Sequence, residues 1–251
     1  MTSHPNVKLN IGLNVLRKRP DGFHDIETLF VPCYAFSDVL DIEPAEEKTV
    51  MELEGGSWEP VTDLTLRAWE LLEKEFGIPP VHIRLTKKSP VGAGLGGGSA
   101  DAAFALRMLD SMFSLGLSEE SLAGYASRLG SDCAFFIYNR PMLGEGRGER
   151  LSPFDIDLSG YEIRVEIPEG VSVSTKEAYG GICPEVPAVR LREALALPVE
   201  EWKDNVANDF EKTVFEKHPE IKALKRRLYD EGAVYAAMSG SGSAVFGLFR
   251  K

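Results

Sequence analysis

The sequence predicts an α+β fold of two domains, and three observations carry that expectation. Stretches of period-2 hydrophobicity come in clusters, amphipathic helical stretches fall between them in pairs, and no regular strand–helix–strand alternation runs through the chain. Such a pattern segregates sheets from helices instead of winding a parallel sheet. The 251 residues suffice for one large domain or two modest ones, each with a core of its own. Hydrophobic residues at 43% and charged residues at 27% match ordinary globular proteins, which excludes a disordered chain, a collagen-like fibre and a disulfide-stapled miniprotein.

Taken in order, Val7, Leu9, Ile11, Leu13 and Val15 alternate with Lys8, Asn10, Gly12 and Asn14, so residues 7–15 read as a half-buried strand. Arg17-Lys18-Arg19-Pro20-Asp21-Gly22 is turn chemistry. Residues 24–33 and 39–43 read as further strands. Thr62 or Asp63 can cap a helix whose stripe is Leu64, Ala68, Leu71, Leu72 and Phe76 and which stops at Gly77. Val81, Ile83 and Leu85 predict a strand. After a glycine cluster, the spacing of Ala102, Ala105, Leu106, Leu109 and Phe113 predicts a helix from Ser99 to Phe113. Ser118 opens another, with Glu119 and Glu120 in its first turn and Gly130 past its end.

The turn-rich stretch 141–153 sets the expected domain boundary, giving residues 1–150 and 151–251. Beyond it Ile163, Val165 and Ile167 predict a strand, and residues 190–196 and 205–216 predict helices. Pro219 opens a helix that packs Ile221, Leu224 and Leu228 and ends at Gly232. Strands over 233–238 and 244–249 flank Ser239-Gly240-Ser241-Gly242-Ser243. No repeat and no low-complexity tract interrupts the chain.

Lys and Arg total 28 against 39 Asp and Glu, a net charge of −11. So acidic a surface argues against nucleic acid as a partner, since phosphate-backbone binding depends on basic clusters. It leaves room for a phosphorylated small molecule, which backbone N–H groups can hold. No apolar run reaches membrane-spanning length, and the first residues, MTSHPNVK, resemble neither a signal nor a transit peptide. Cys33, Cys133 and Cys183 have no metal-ligand spacing and read as structural thiols of a cytoplasmic protein.

Residues 92–98 hold five glycines in seven positions and run directly into the predicted helix. Backbone so bare lets a phosphate approach the unpaired N–H groups at a helix start. Gly92, Gly94 and Gly97 satisfy a dinucleotide fingerprint, but a second helix follows where a strand with an acidic residue should return. A Walker A loop fails because Gly98 occupies the lysine position. A phosphate loop without its own lysine remains, beside the plain alternative of a flexible linker, which seldom enters an amphipathic helix directly.

Pro90-x3-Gly94-Leu95-Gly96-Gly97-Gly98-Ser99-Ala100 resembles the ATP-phosphate loop of the galactokinase, homoserine kinase, mevalonate kinase and phosphomevalonate kinase (GHMP) superfamily. Lys8-Leu9-Asn10-Ile11-Gly12-Leu13 is similar to that family's first motif, and Ser239 to Ser243 to its third. Three further segments point to the members that act in the non-mevalonate isoprenoid pathway. They are Arg19-Pro20-Asp21-Gly22-Phe23-His24-x3-Thr28-Leu29-Phe30, Leu129-Gly130-Ser131-Asp132 and Asn208-Asp209-Phe210-Glu211.

The resemblance implies a two-domain GHMP kinase fold, with a ribosomal S5 domain 2-like N-terminal domain, a small ferredoxin-like C-terminal sheet with helices, and a site in the cleft. It implies ATP and Mg2+, and a small-molecule substrate, a cytidyl diphosphate sugar alcohol phosphorylated on its 2-hydroxyl by a monomer or homodimer. Asp132, otherwise a turn carboxylate, becomes the general base. Lys8, otherwise a solvated strand lysine, becomes the cation that stabilises the developing alkoxide. Pro90, Gly92, Gly94, Leu95, Gly96, Gly97, Gly98, Ser99 and Ala100 would bind ATP, with Ser99 reaching Mg2+ or simply capping its helix. Asn10, Phe23, His24, Tyr179 and Asn208 would bind the substrate, Phe23 standing where tyrosine is frequent and Cys133-Ala134 where Val-Pro is usual. Two alternatives stay open, another small-molecule kinase of the superfamily and a nucleic-acid-binding protein on a related fold.

Overall fold

The structure, a computed structural model, describes residues 1–251. The chain runs through β1 (Thr2–Ser3), β2 (Asn6–Lys18), β3 (His24–Ser37), β4 (Val39–Pro44), β5 (Val50–Glu54), α1 (Leu64–Phe76) and β6 (Val81–Thr86). Next come α2 (Gly97–Phe113), α3 (Glu119–Leu129), α4 (Cys133–Tyr138), β7 (Met142–Gly146), β8 (Arg150–Pro153) and β9 (Tyr161–Glu166). Then follow α5 (Thr175–Gly180), α6 (Leu191–Ala194), α7 (Trp202–Asn205), α8 (Glu211–Lys217), α9 (Pro219–Asp230), β10 (Tyr235–Met238) and β11 (Val245–Arg250). Two compact units emerge: Met1–Lys8, Pro32–Val91 and Gly96–Arg140 form the first, and Leu9–Val31, Gly92–Leu95 and Pro141–Lys251 the second. The boundary expected near residue 150 lies inside the second unit. No helix is long and apolar enough to cross a membrane.

In the first unit, β1-β4-β6-β5 form a sheet in which only the β5–β6 pair is parallel. Leu40, Ile42, Val81, Ile83 and Leu85 are buried there. Helix α1 begins where the Asp63 carboxylate accepts a hydrogen bond from Thr65 N at 2.7 Å, and it ends at Gly77. The buried side of α2 is built largely of Ala100, Ala102, Ala103 and Ala105, whose small side chains let neighbouring elements approach closely. Ser118 caps α3 as expected.

Three elements differ from the sequence expectation in this region. Helix α2 starts two residues early, at Gly97, and Cys133–Tyr138 coil into a six-residue helix too short for periodicity to reveal. Strand β5 escaped notice because its alternating glutamates face out.

The second unit carries a sheet ordered β2-β3-β7-β8 and a smaller antiparallel one ordered β10-β11-β9. The β7–β8 hairpin occupies the stretch read as turns. Leu13, Val15, Phe210, Val214, Ile221, Leu228, Met238 and Val245 share one core.

Two expectations are corrected here. Strand β2 is not half-buried, for every residue from Asn6 to Val15 is buried. A second layer covers its polar face: a Cβ on Gly12 would lie 2.4 Å from Leu191 Cδ1. Residues 205–216 are not one helix either. Leu13 bridges Asn208 in parallel, with Leu13 N donating to Ala207 O at 2.9 Å and Asp209 N to Leu13 O at 2.8 Å. That bridge keeps residues 206–210 out of helix, between α7 and α8.

Candidate active site

In the first unit, Lys8 and Asp132 come together, with Lys8 Nζ 3.4 Å from Asp132 Oδ2. The lysine side chain is 4% exposed and the carboxylate 32%, so the pair is sheltered at its cation and open at its anion. Burial pulls the Lys8 ammonium below its ordinary value, and the neighbouring Asp132 charge and hydrogen bond oppose that fall. Asp132 stands at the N-cap position of α4 but makes no capping hydrogen bond. Its carboxylate serves Lys8 and solvent. The next residue, Cys133, is fully buried, and burial pushes its thiol up to about 12 despite a hydrogen bond with Ser99. Ser99 is thereby placed beside the start of α4.

The glycine loop enters α2 at Gly96, which occupies the helix N-cap in the left-handed region with φ 73. No side chain caps this helix, leaving its first amides and positive dipole end for an anion. A Cβ on Gly96 would lie 3.1 Å from Lys8 Cε and 3.2 Å from a Phe136 ring carbon, so the loop's exit rests directly on the Lys8 stem. A Cβ on Gly98 would meet nothing within 4 Å. Ala93, Leu95 and Ala100 are buried. They anchor the segment by their side chains, and backbone is what it offers to a ligand.

In the second unit, the middle of the loop meets the third glycine motif. Ser239 Oγ donates to Gly94 O at 3.1 Å and accepts from Asn10 N at 3.2 Å. Gly94 has φ 79, and a Cβ there would lie 2.2 Å from Ser239 O; only glycine fits. Asn10 Nδ2 donates to Thr28 Oγ1 at 3.0 Å, and the Thr28 hydroxyl donates to Gly12 O at 2.6 Å. Asn208 Nδ2 donates to Met238 O and Gly240 O, both at 2.8 Å, while its Oδ1 accepts from Phe210 N at 3.0 Å. At 2% exposure, Asn208 braces the third motif.

His24 and Tyr179 stack with ring centroids 4.6 Å apart and planes at 19°. Tyr179 also meets Phe210 edge-on at 4.8 Å. Burial, then the Lys18 charge, holds the His24 imidazole below its ordinary value, which favours the neutral ring. Phe23 is 53% exposed and carries the Arg147 guanidinium 4.9 Å from its ring centroid.

Sequence reasoning left Thr28 and Arg147 without a role. Thr28 follows His24 in the family-like segment, but its hydrogen bonds to Asn10 and Gly12 cross strands and have no local signature. Arg147 sits in the β7–β8 turn, where nothing but proximity points to Phe23. No group of three or more His, Cys, Asp or Glu could cage a metal. Magnesium held mainly by phosphate oxygens and water needs only one or two protein oxygens, and the Ser99 hydroxyl is an oxygen of that kind.

The family model for the GHMP kinases N terminal domain matches residues 63–140, and that for GHMP kinases C terminal matches residues 191–251. The chain is 50% identical over 254 residues to 4-diphosphocytidyl-2-C-methyl-D-erythritol kinase of Bacteroides fragilis, covering 99% of this chain and 92% of that one. It is 48% identical over 257 residues to the Bacteroides thetaiotaomicron enzyme of the same name, with the same coverage. Among solved structures, a 4-(cytidine 5'-diphospho)-2C-methyl-D-erythritol kinase superposes with a TM-score of 0.81 at 33% identity, over 99% of this chain and 90% of that one. Homoserine kinase from Cytophaga hutchinsonii gives 0.71 at 18% identity, over 98% and 85%, a likeness of fold alone.

Proposed function

The chain belongs to the GHMP kinase family, and from that membership we propose that it is an ATP-dependent small-molecule kinase. Its substrate is 4-diphosphocytidyl-2-C-methyl-D-erythritol, phosphorylated on the 2-hydroxyl in the non-mevalonate route to isoprenoid precursors. The observation that carries the chemistry is the Lys8–Asp132 pair beside Gly96, a base and a cation at the exit of a phosphate loop.

Asp132 takes the proton of the substrate hydroxyl as its oxygen bonds to the γ-phosphorus and the bond to the bridging oxygen of ADP breaks. Lys8 stabilises the charge that develops on the attacking oxygen. The uncapped start of α2 and the backbone from Pro90 through Gly92, Gly97 and Gly98 to Ala100 hold the phosphates, which is most of what phosphoryl transfer requires. Magnesium bound with ATP would neutralise phosphate charge, and Ser99 Oγ is the hydroxyl offered to it. Phe23, His24 and Tyr179 receive the cytosine ring by stacking and hydrogen bonding. Asn10 orients the acceptor, and Asn208 acts through the glycine motif it braces.

The cytoplasm is its place, where ATP is supplied and Cys33, Cys133 and Cys183 remain the free thiols they are here. The net charge of −11 supports a small-molecule partner over nucleic acid. The test is ADP release from Mg-ATP with a panel of alcohols. Turnover of the cytidyl substrate is expected, and turnover of mevalonate or homoserine in its place would overturn the assignment.

A further inference from the structure

A buried charged cluster that the chemistry above does not use lies at the two ends of the glycine loop. The Lys87 side chain is 2% exposed, and its ammonium contacts the carboxylates of Asp38 and Asp101, the latter at 2.6 Å. Both carboxylate side chains are 1% exposed. Burial alone would lower the Lys87 pKa, but Asp101 and Asp38 outweigh it and hold the group above its ordinary value, as a cation.

Asp38 does more than pair with Lys87. It accepts hydrogen bonds from Lys88 N at 2.6 Å, Ser89 N at 2.7 Å and Ser89 Oγ at 2.7 Å. These are the last residues before the loop. Asp101 lies one turn inside α2, just after the loop. The two ends also touch directly, for a Cβ on Gly97 would lie 2.6 Å from Ser89 Oγ and 3.3 Å from Lys87 Nζ. Chain entry and chain exit thus share one anchor, and the loop's span is set between Ser89 and Gly97.

We propose that Asp38, Lys87 and Asp101, with Ser89, are positioning residues that clamp the ends of the glycine loop and so set its affinity for ATP. The idea rests on the loop being the ATP site, as proposed above. A cluster so deeply buried is costly to assemble and weak evidence for stability as such. A geometric role explains it better: short charge-assisted bonds fix the spacing of two chain ends more tightly than apolar contact would.

Two variants test the clamp. Lys87→Met leaves two buried carboxylates without their cation and is expected either to unfold or to bind ATP much more weakly. The decisive experiment is therefore a cycle at the contact. Gly97→Ala is expected to raise the Kd for ATP about threefold or more, the scale of coupling between touching residues. Ser89→Ala in the same chain removes the clashing hydroxyl, leaving the two Cβ atoms about 3.6 Å apart; it gives up one bond to Asp38 but keeps those from Lys88 N and Ser89 N, and is expected to restore part of the lost affinity. A double variant no better than Gly97→Ala would overturn the clamp, as the methyl would then act on the nucleotide itself. Full ATP affinity in Gly97→Ala would overturn it too. ATP failing to bind the unaltered protein would instead defeat the loop assignment.

Discussion

Lys8 and Asp132 meet at 3.4 Å although one sits in a strand and the other heads a short helix, and the lysine is by far the more buried of the two. If Asp132 is the base, Asp132→Asn keeps its size and loses the proton acceptor. kcat should fall by about 10²- to 10⁴-fold with ATP affinity little changed, as single-turnover kinetics and nucleotide titration can read. A folded variant with more than about a tenth of its kcat contradicts the base role. Lys8 adds a pH dependence whose sign follows from its burial. Its pKa lies below the ordinary 10.5, so the stabilising cation is present at lower pH and disappears as pH rises through that depressed value. The basic limb of the kcat profile should fall below 10.5, and Lys8→Arg should abolish the limb at a lower rate, since a guanidinium stays charged. A limb unmoved in Lys8→Arg would assign the titration to another group. Both residues were legible in the sequence only through their motifs. Alternation told that Lys8 shares a face with Asn10 and Asn14, and it implied a solvated face. One strand's pattern holds no record of what covers it, Leu191 and Val206 over Gly12 and the loop's Gly96 against Lys8. The same blindness hid what Asn208 does, because its partners at Met238 and Gly240 are distant in sequence.

Among the elements, the glycine loop and α2 were the most readable, since glycine density followed by a strong apolar stripe has few other outcomes. Their boundary was misjudged by two residues because Gly97 and Gly98, poor helix formers, lie in the first turn. Gly96 marks where the element is least tolerant. Valine there would force a branched residue into φ 73 and drive its side chain toward Lys8 and Phe136. Gly96→Val should lose ATP affinity and kcat together, unlike Asp132→Asn, because it disturbs loop and lysine at once. Circular dichroism would establish folding, and an unchanged nucleotide Kd in the folded variant would remove the loop from the ATP site. The helix expected across 205–216 failed for a different reason. Its residues have helical spacing, but the parallel bridge from Leu13 to Asn208 satisfies backbone groups that a continuous helix would otherwise use, and tertiary pairing overrides local preference.

At the scale of the whole molecule, Gly96 at the start of α2 falls in the first compact unit, whereas the earlier loop residues Gly92–Leu95 fall in the second, as do His24 and Tyr179. The α+β class was legible because strands cluster, whereas the units were not, since the chain passes from one to the other within β2, within β3, on either side of Gly92–Leu95 and again at Arg140–Pro141. The start of α2 and the His24–Tyr179 stack can be altered one at a time, so thermal unfolding can separate the two ligand assignments. A ligand at about a hundredfold excess over its Kd stabilises the native state by about 2.7 kcal/mol. For a chain of this size that is a rise in Tm of about 5–10 °C. Mg-ATP and the cytidyl substrate should each raise Tm on their own. Gly96→Val should erase the nucleotide's shift and leave the cytidyl shift intact. His24→Ala should do the reverse, because removing the imidazole takes away the stack on Tyr179 without touching the start of α2. If either variant lost both shifts equally, damage to folding would explain the losses, and the assignment of that residue to a single ligand would fall.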